Sequence, residues 1–154
     1  MEHTLACGLV HTTPDRDAVA LWLPAGPGAP GLPDGYSARL AAITGSLIGR
    51  FEAFDAALEA RHPAAVPHQH LAILAVRPGR QGQRTGTTLL AARHATLDAE
   101  GIPAFLEASS PDSHRLYLRH DYTDYGPPID LPGGPALYPM WRQPHDLRHT
   151  GRQQ

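Results

Sequence analysis

The chain has 154 residues, a formal net charge of -2 at neutral pH, 42% hydrophobic residues and one cysteine, Cys7. That length holds one domain with a continuous core, a lone cysteine excludes an internal disulfide, and no Cys/His cluster has the spacing of a structural zinc site. Basic residues scattered along a slightly acidic chain leave no footprint for nucleic acid, and the lack of a bilayer-length apolar run or a signal-peptide pattern predicts a cytoplasmic protein with no membrane partner.

In chain order, Leu5 to Val10 and Ala18 to Leu23 are short apolar runs around the turn cluster Thr12-Thr13-Pro14-Asp15, the pattern of a β-hairpin that ends at Pro24. Ala25 to Gly35 is dominated by glycine and proline, which sustain neither helix nor strand, and reads as a surface loop or a lid. From Ser37 to Arg61, residues Leu40, Ile43, Leu47, Ile48, Phe51, Phe54 and Leu58 recur at helical spacing. They predict an amphipathic helix, bent near Gly45 or Gly49 and ended by Pro63 and Pro67. His70 to Val76 is apolar on both alternating faces, as expected of a central strand covered on each side. Arg77-Pro78-Gly79 stops it, and Thr85 to Glu100 follows as a helix closed by Gly101. Ala104 to Ala108 is a strand, Pro111 to His120 a short helix, and Tyr122 to Tyr125 and Ala136 to Trp141 two last strands, with residues 143–154 as a tail. All 13 basic residues are arginine and the chain has no asparagine, the coding bias of a GC-rich bacterial genome, so most arginines are expected on the solvated surface.

The strand, turn and helix from Leu71 to Leu90 carry the chemistry. A helix that starts directly after a strand aims unsatisfied N–H groups and the positive end of its dipole at one spot, which attracts phosphate. Gly82 and Gly86 allow close approach of backbone to a ligand, and Thr85, Thr87 and Thr88 add hydroxyls. On these residues alone, the same pattern also reads as a ligand-free turn with Thr85 capping the helix.

The run from Leu74-Ala75-Val76-Arg77-Pro78 through Gln81-Gly82-Gln83-Arg84-Thr85-Gly86-Thr87 to Leu90 resembles the acyl-CoA signature of the GNAT acetyltransferases, a strand ending in V-x-P followed by Q/R-x-x-G-x-G/A. Gln81 matches the first position of that signature and Gly86 the last, whereas Arg84 stands where the family has its first glycine. The resemblance extends over residues 5 to 142, loosely at the start, and includes Trp22-Leu23-Pro24 and Leu131-Pro132-Gly133-Gly134-Pro135. It implies a single α/β (α+β) domain with a mixed, mostly antiparallel sheet and helices on both faces, lacking the family's usual first strand and first helices. It also implies an acetyl-CoA-dependent N-acetyltransferase acting on a small-molecule amine. Leu74, Ala75 and Val76 would pair through their backbone with the pantetheine arm, and Gln81, Gly82, Gln83, Arg84, Thr85, Gly86 and Thr87 would hold the pyrophosphate. At Arg84 the guanidinium either swings outward to pair with phosphate or crowds the loop and weakens binding.

Downstream, Leu106-Glu107-Ala108, then Ser113 through Tyr117 to Asp121-Tyr122, is similar to the family's L-E and N-x-x-x-x-Y-x-x-x-G-F segments. Tyr117 falls on the tyrosine that many members use as general acid toward the departing thiolate, and Ser113 on the asparagine near the cofactor. The amine also needs a general base, for which Glu107, His68 and His70 are candidates. No metal is expected: His145 and His149 lie four apart, but Pro144 and Gly151 flank them and a third ligand is lacking. A scaffold turned to another reaction and a non-catalytic assembly protein are the competing readings. In the last, an exposed sheet edge would be buried in a homodimer.

Overall fold

A computed structural model of the chain describes residues 6–145. Its elements are β1 (Leu9–Thr12), β2 (Ala18–Ala25), α1 (Tyr36–Thr44), α2 (Ile48–Glu59), β3 (His68–Val76), α3 (Thr85–Glu100), β4 (Ala104–Ala108), α4 (Pro111–Leu118), β5 (Thr123–Asp124) and β6 (Tyr138–Arg142). They form one mixed sheet in the order β1-β2-β3-β4-β6-β5, in which only β3 and β4 run parallel. This is the mixed, mostly antiparallel sheet expected from the sequence. No helix among the described residues is long and apolar enough to cross a membrane.

The hairpin forms as predicted, although β1 begins at Leu9 and Leu5 lies outside the described residues. β2 runs on through Pro24, which pairs with Gln69 of β3. The pairing with β1 stops at Trp22, so Pro24 sits on a locally open edge where a missing N–H costs no ladder bond. The predicted helix of Ser37 to Arg61 is broken at Gly45, whose φ of 53° and ψ of -124° no helix accommodates, and a 3-10 turn, Gly45–Leu47, joins α1 to α2. Neither helix fully buries a residue: Leu40, Ile48 and Leu58 are half-buried, while Ile43 is 83% exposed and Phe51 44%, so the apolar stripe is only partly covered among the described residues.

The core lies on one face of the sheet. Ala18, Ala20 and Trp22 of β2, Leu71 of β3, Ala104, Leu106 and Ala108 of β4 and Met140 of β6 pack against Leu89, Leu90 and Leu97 of α3 and Tyr117 of α4. Each fully buried leucine contributes about 1.5–3 kcal/mol. α3 ends at Gly101 in the left-handed region, where the Ile102 N–H donates to the Leu97 carbonyl at 2.9 Å and Ile102 closes against the core.

One core group makes the fold sensitive to acid. His94 of α3 is 5% exposed, sits edge-on to Trp22 and shares a 3.1 Å hydrogen bond with the Tyr122 hydroxyl, whose own pKa burial pushes up. Burial holds the His94 pKa down to about 3, with the nearby Arg142 charge adding to the effect. The folded value lies below the unfolded one, so the unfolded chain binds the extra proton and stability is lost as pH falls from about 6.5 toward 3, by about 1.4 kcal/mol per pH unit. Urea unfolding at pH 7.5 and pH 5 is expected to show this loss in the native chain and most of it missing in His94→Gln. An identical pH dependence in the two proteins would remove His94 as its source.

Candidate active site

β3 and β4 are paired only at Gln69↔Ala104 and His70↔Phe105. Just beyond, the register of β2 against β3 slips: Trp22 faces Leu71 and Leu21 faces Ile73, which leaves Ala72 as an extra residue. A bulge of this kind bends its strand, and here it turns β3 away from β4. The two strands part, and the β4-facing edge of β3 from Ala72 to Val76 has no strand partner among the described residues. The bulge also reverses which side chains face the core, since Leu71 before it and Leu74 and Val76 after it all pack on the α3 side. Covering of β3 on both sides was expected, yet Ala72 and Ala75 are exposed and Ile73 is 48% exposed, because they line this opening.

At the C-terminal end of β3 the chain turns into α3 through Arg77–Arg84. Among the described residues, the main-chain N–H groups from Gln81 to Thr87 make no well-formed main-chain hydrogen bond beyond the loose turn at Gln81–Gly82, and the first bond of the helix is Thr88 N–H to the Arg84 carbonyl at 2.9 Å. The cap position is Arg84, not Thr85, and it makes no side-chain capping bond. Arg84 has φ 62°, in the left-handed region, at a cost of about 1–3 kcal/mol for a residue with a Cβ. Arg84 is exposed, as are Gln81, Gly82 and Gln83 before it. Gly82 is also left-handed, with φ 77°. A Cβ on Gly86 would stand 3.6 Å from Val76 Cγ2, an ordinary contact, so this turn of α3 lies close on β3 without strain.

The turn is held in place by a residue that local sequence does not flag. Asp17, 6% exposed in the β1–β2 turn, accepts from Arg77 Nη1 at 3.1 Å and Arg80 Nε at 2.6 Å, while its carbonyl accepts the Arg77 N–H at 2.7 Å. The Asp17 carboxylate also pushes the Arg80 pKa up. Both arginines are thereby tied away from the N–H groups that follow them.

On the face of the sheet opposite the core, β3 and β4 present His70 and Glu107. His70 Nε2 lies 2.9 Å from Glu107 Oε2, and the Glu107 side chain is 9% exposed. Its other oxygen, Oε1, is buried with no hydrogen-bond partner. His62, in the turn after α2, completes the group: its ring lies 5.0 Å from that of His70 and 4.9 Å from Phe105. Burial lowers the His62 pKa to about 4, helped by His70 and His68. His68 is 2% exposed and closed off behind His62, with Nδ1 donating to the Val66 carbonyl at 2.8 Å and Nε2 3.2 Å from His62 Nε2. Of the three base candidates, geometry thus brings together His70 and Glu107 and sets His68 behind them. An open hollow of about 390 Å³, lined by Ala60, Arg61, His62, Tyr125 and Gly126, gives access on this side.

Tyr117 belongs to the core face and is 8% exposed, and burial pushes its pKa up to about 12. It and Glu107 therefore flank the parted strands from opposite faces of the sheet. Ser113 is engaged elsewhere: its hydroxyl accepts the Ser110 N–H at 3.0 Å while the Ser110 hydroxyl accepts the Ser113 N–H at 3.1 Å, a capping box that starts α4. The proline-rich loop from Ala25 does not cover this site. It lines a separate hollow with Val66, Pro67, Ile102 and Pro103 at the other end of β3. His145 is exposed and contacts Asp98, and His149 lies outside the described residues.

This sheet and its helices share their fold with several solved acetyltransferases. The chain is similar to a structure described as histone acetyltransferase HPA2 and related acetyltransferase from Corynebacterium glutamicum, with TM-score 0.61 and 22% identity over 94% of this chain and 68% of that one. It is also similar to arylalkylamine N-acetyltransferase 2 from Aedes aegypti, with TM-score 0.62 and 14% identity over 94% and 78% of the two chains. Agmatine N-acetyltransferase matches with TM-score 0.55 and 16% identity over 91% and 79%. No protein-family model matches the chain.

Proposed function

We propose that the chain is an N-acetyltransferase that moves an acetyl group from acetyl-CoA to an amine of a small molecule. The observation that carries this reading is the parting of β3 from β4, with free main-chain donors at its end and a half-buried His70–Glu107 pair on one face. The residues fit the cofactor: the N–H groups of Gln81 to Thr87 suit a pyrophosphate, the unpaired edge of Leu74, Ala75 and Val76 suits an amide-bearing arm, and the exposed Arg84 brings a guanidinium suited to phosphate. Bound there, acetyl-CoA supplies an acetyl group activated as a thioester. Arylalkylamine and agmatine N-acetyltransferases, whose fold this chain shares, are named for amine acceptors, which favours an amine here as well.

Within that reading, Glu107 with His70 takes the proton that the attacking amine gives up, its Oε1 having no other partner. Tyr117 returns a proton to the departing sulfur, and the pKa of about 12 keeps its hydroxyl protonated at neutral pH. Assays of thiol release over aryl, alkyl and polyamine acceptors are expected to find turnover with at least one class. Tyr117→Phe should lower kcat by about 10²-fold while KM for acetyl-CoA stays within about twofold. Absence of turnover with every class, by protein that unfolds cooperatively, would count against the reaction. Equal kcat in the two forms would remove Tyr117 from it.

A further inference from the structure

We infer that His62, His70 and Glu107 form a binding site for a divalent cation of the zinc type, and that the cation, once bound, blocks the base of the proposed transfer. The blocking rests on the acetyltransferase reading; the binding does not. One ligand atom from each of the three residues lies within 4.8 Å of the other two, and His70 Nε2 and Glu107 Oε2 are 2.9 Å apart. Around tetrahedral zinc, with bonds of about 2.0–2.2 Å, neighbouring ligand atoms stand roughly 3.3 Å apart, so the His70–Glu107 pair opens slightly and His62 closes in by about 1.5 Å at most. Two histidines and a glutamate are a familiar set for a zinc ion that keeps a fourth position open. His62 also lines the hollow shared by Ala60, Arg61, Tyr125 and Gly126.

Two further observations point to a ligand and not merely to a hydrogen-bonded pair. Glu107 Oε1 is buried with no partner, although its side chain is only 9% exposed. An orphaned carboxylate oxygen at that depth is costly unless a cation or a donor meets it. The second is the support behind His62. The Val66 carbonyl can only accept, so His68 Nδ1 carries a proton and donates to it. In neutral His68, Nε2 is then the acceptor, and the 3.2 Å contact is a bond donated by His62 Nε2–H. That leaves Nδ1 of a neutral His62 as a bare lone pair. Metal-bound histidines are typically oriented in this way, through a hydrogen bond from the other ring nitrogen. Phe105, 4.9 Å from the His62 ring and 5.7 Å from that of His70, walls the group on one side.

A cation bound to the Glu107 carboxylate neutralises the charge that lets either of its oxygens take a proton. A cation at Glu107 and His70 therefore inhibits transfer reversibly. The test uses the full chain stripped with a chelator, and its probes are Co2+ followed by its visible absorption and Zn2+ followed by calorimetry. The expected result is one ion per chain, intense bands of low-coordinate cobalt, and affinity at least tenfold lower in both His62→Ala and Glu107→Gln. His11→Ala, far from the cluster, serves as control with unchanged affinity. Where acetyl transfer is measured, half-inhibition by Zn2+ should fall at the binding constant and shift with it in His62→Ala. Stoichiometric binding in a protein that shows no transfer with any amine would keep the metal site and overturn the enzyme reading. No binding, or binding that survives both substitutions, would overturn the metal site whether or not transfer is found. Cooperative thermal unfolding of each variant separates loss of ligand from loss of fold.

Discussion

If the proposed transfer holds, Glu107→Gln is expected to lower kcat/KM for the amine by about 10²–10³ at neutral pH and to leave affinity for acetyl-CoA within about twofold. The substitution keeps the shape of the side chain and removes its negative charge and its capacity as a base, and general-base catalysis is typically worth about 10²–10⁴. The contact to His70 at 2.9 Å survives as a neutral hydrogen bond at most, so the imidazole also loses the anion that orients it. The effect belongs in kcat because neither residue lies among the free N–H groups of Gln81 to Thr87 at the other end of the parted strands. Steady-state kinetics against both substrates, with calorimetry of acetyl-CoA on both proteins, separates the two parameters. A variant with native kcat, or one that loses acetyl-CoA affinity instead, would move the base elsewhere.

The largest effect on stability is expected from Asp98→Ala. Arg142 is 2% exposed at the end of β6, and its guanidinium donates to both carboxylate oxygens of Asp98 on α3, at 2.7 and 2.9 Å. The bidentate pair fastens the helix that starts at the amide-lined turn to the far side of the sheet. It also holds the Asp98 carboxyl below the usual carboxylate range. That lowered value contributes stability above about pH 4, which is lost as pH falls further. Removal of the carboxylate leaves a buried cation whose Nε already has no partner, and losses of this kind run to about 3–5 kcal/mol. Thermal unfolding should show a melting temperature about 10 °C lower or more. The double substitution Asp98→Ala with Arg142→Met should recover much of it, since no charge is then stranded. A loss under about 1 kcal/mol in the single variant would show that water reaches the guanidinium and that the pair is not the fastening described.

Much of the fold was legible because its signals are local. The bounds of α3, Thr85–Glu100, and of β4, Ala104–Ala108, follow from helical spacing closed by Gly101 and from a short apolar run after Pro103. Gly45 marks the break between α1 and α2 for the same kind of reason. Three features that make the site were not legible. The bulge at Ala72 leaves no trace in a strand whose residues are apolar on both faces, because a reversed alternation of apolar side chains looks like none. Asp17 reads as one more turn residue, and its role depends on Arg77 and Arg80, some sixty positions away. His62 follows a helix in a chain with many histidines, and only packing against Phe105 and His68 brings it to Glu107. The periodicity of α1 and α2 misled in another way. It specified a face to be buried but not what would bury it, and that face is only partly covered among the described residues.

Arg84 shows how far a motif and its physics can be separated. Where the signature that this chain resembles has glycine, the chain carries an arginine at φ 62°, in the left-handed region that glycine enters most readily. A row of main-chain donors flanks that residue.

Those donors bear the weight of the whole account, and backbone amide resonances observed by NMR during titration with CoA test them one by one. Saturable shifts concentrated at residues 81–87 and along the open edge of 72–76, matching the calorimetric affinity, are the predicted result. Saturation with CoA that leaves those amides unmoved would contradict it.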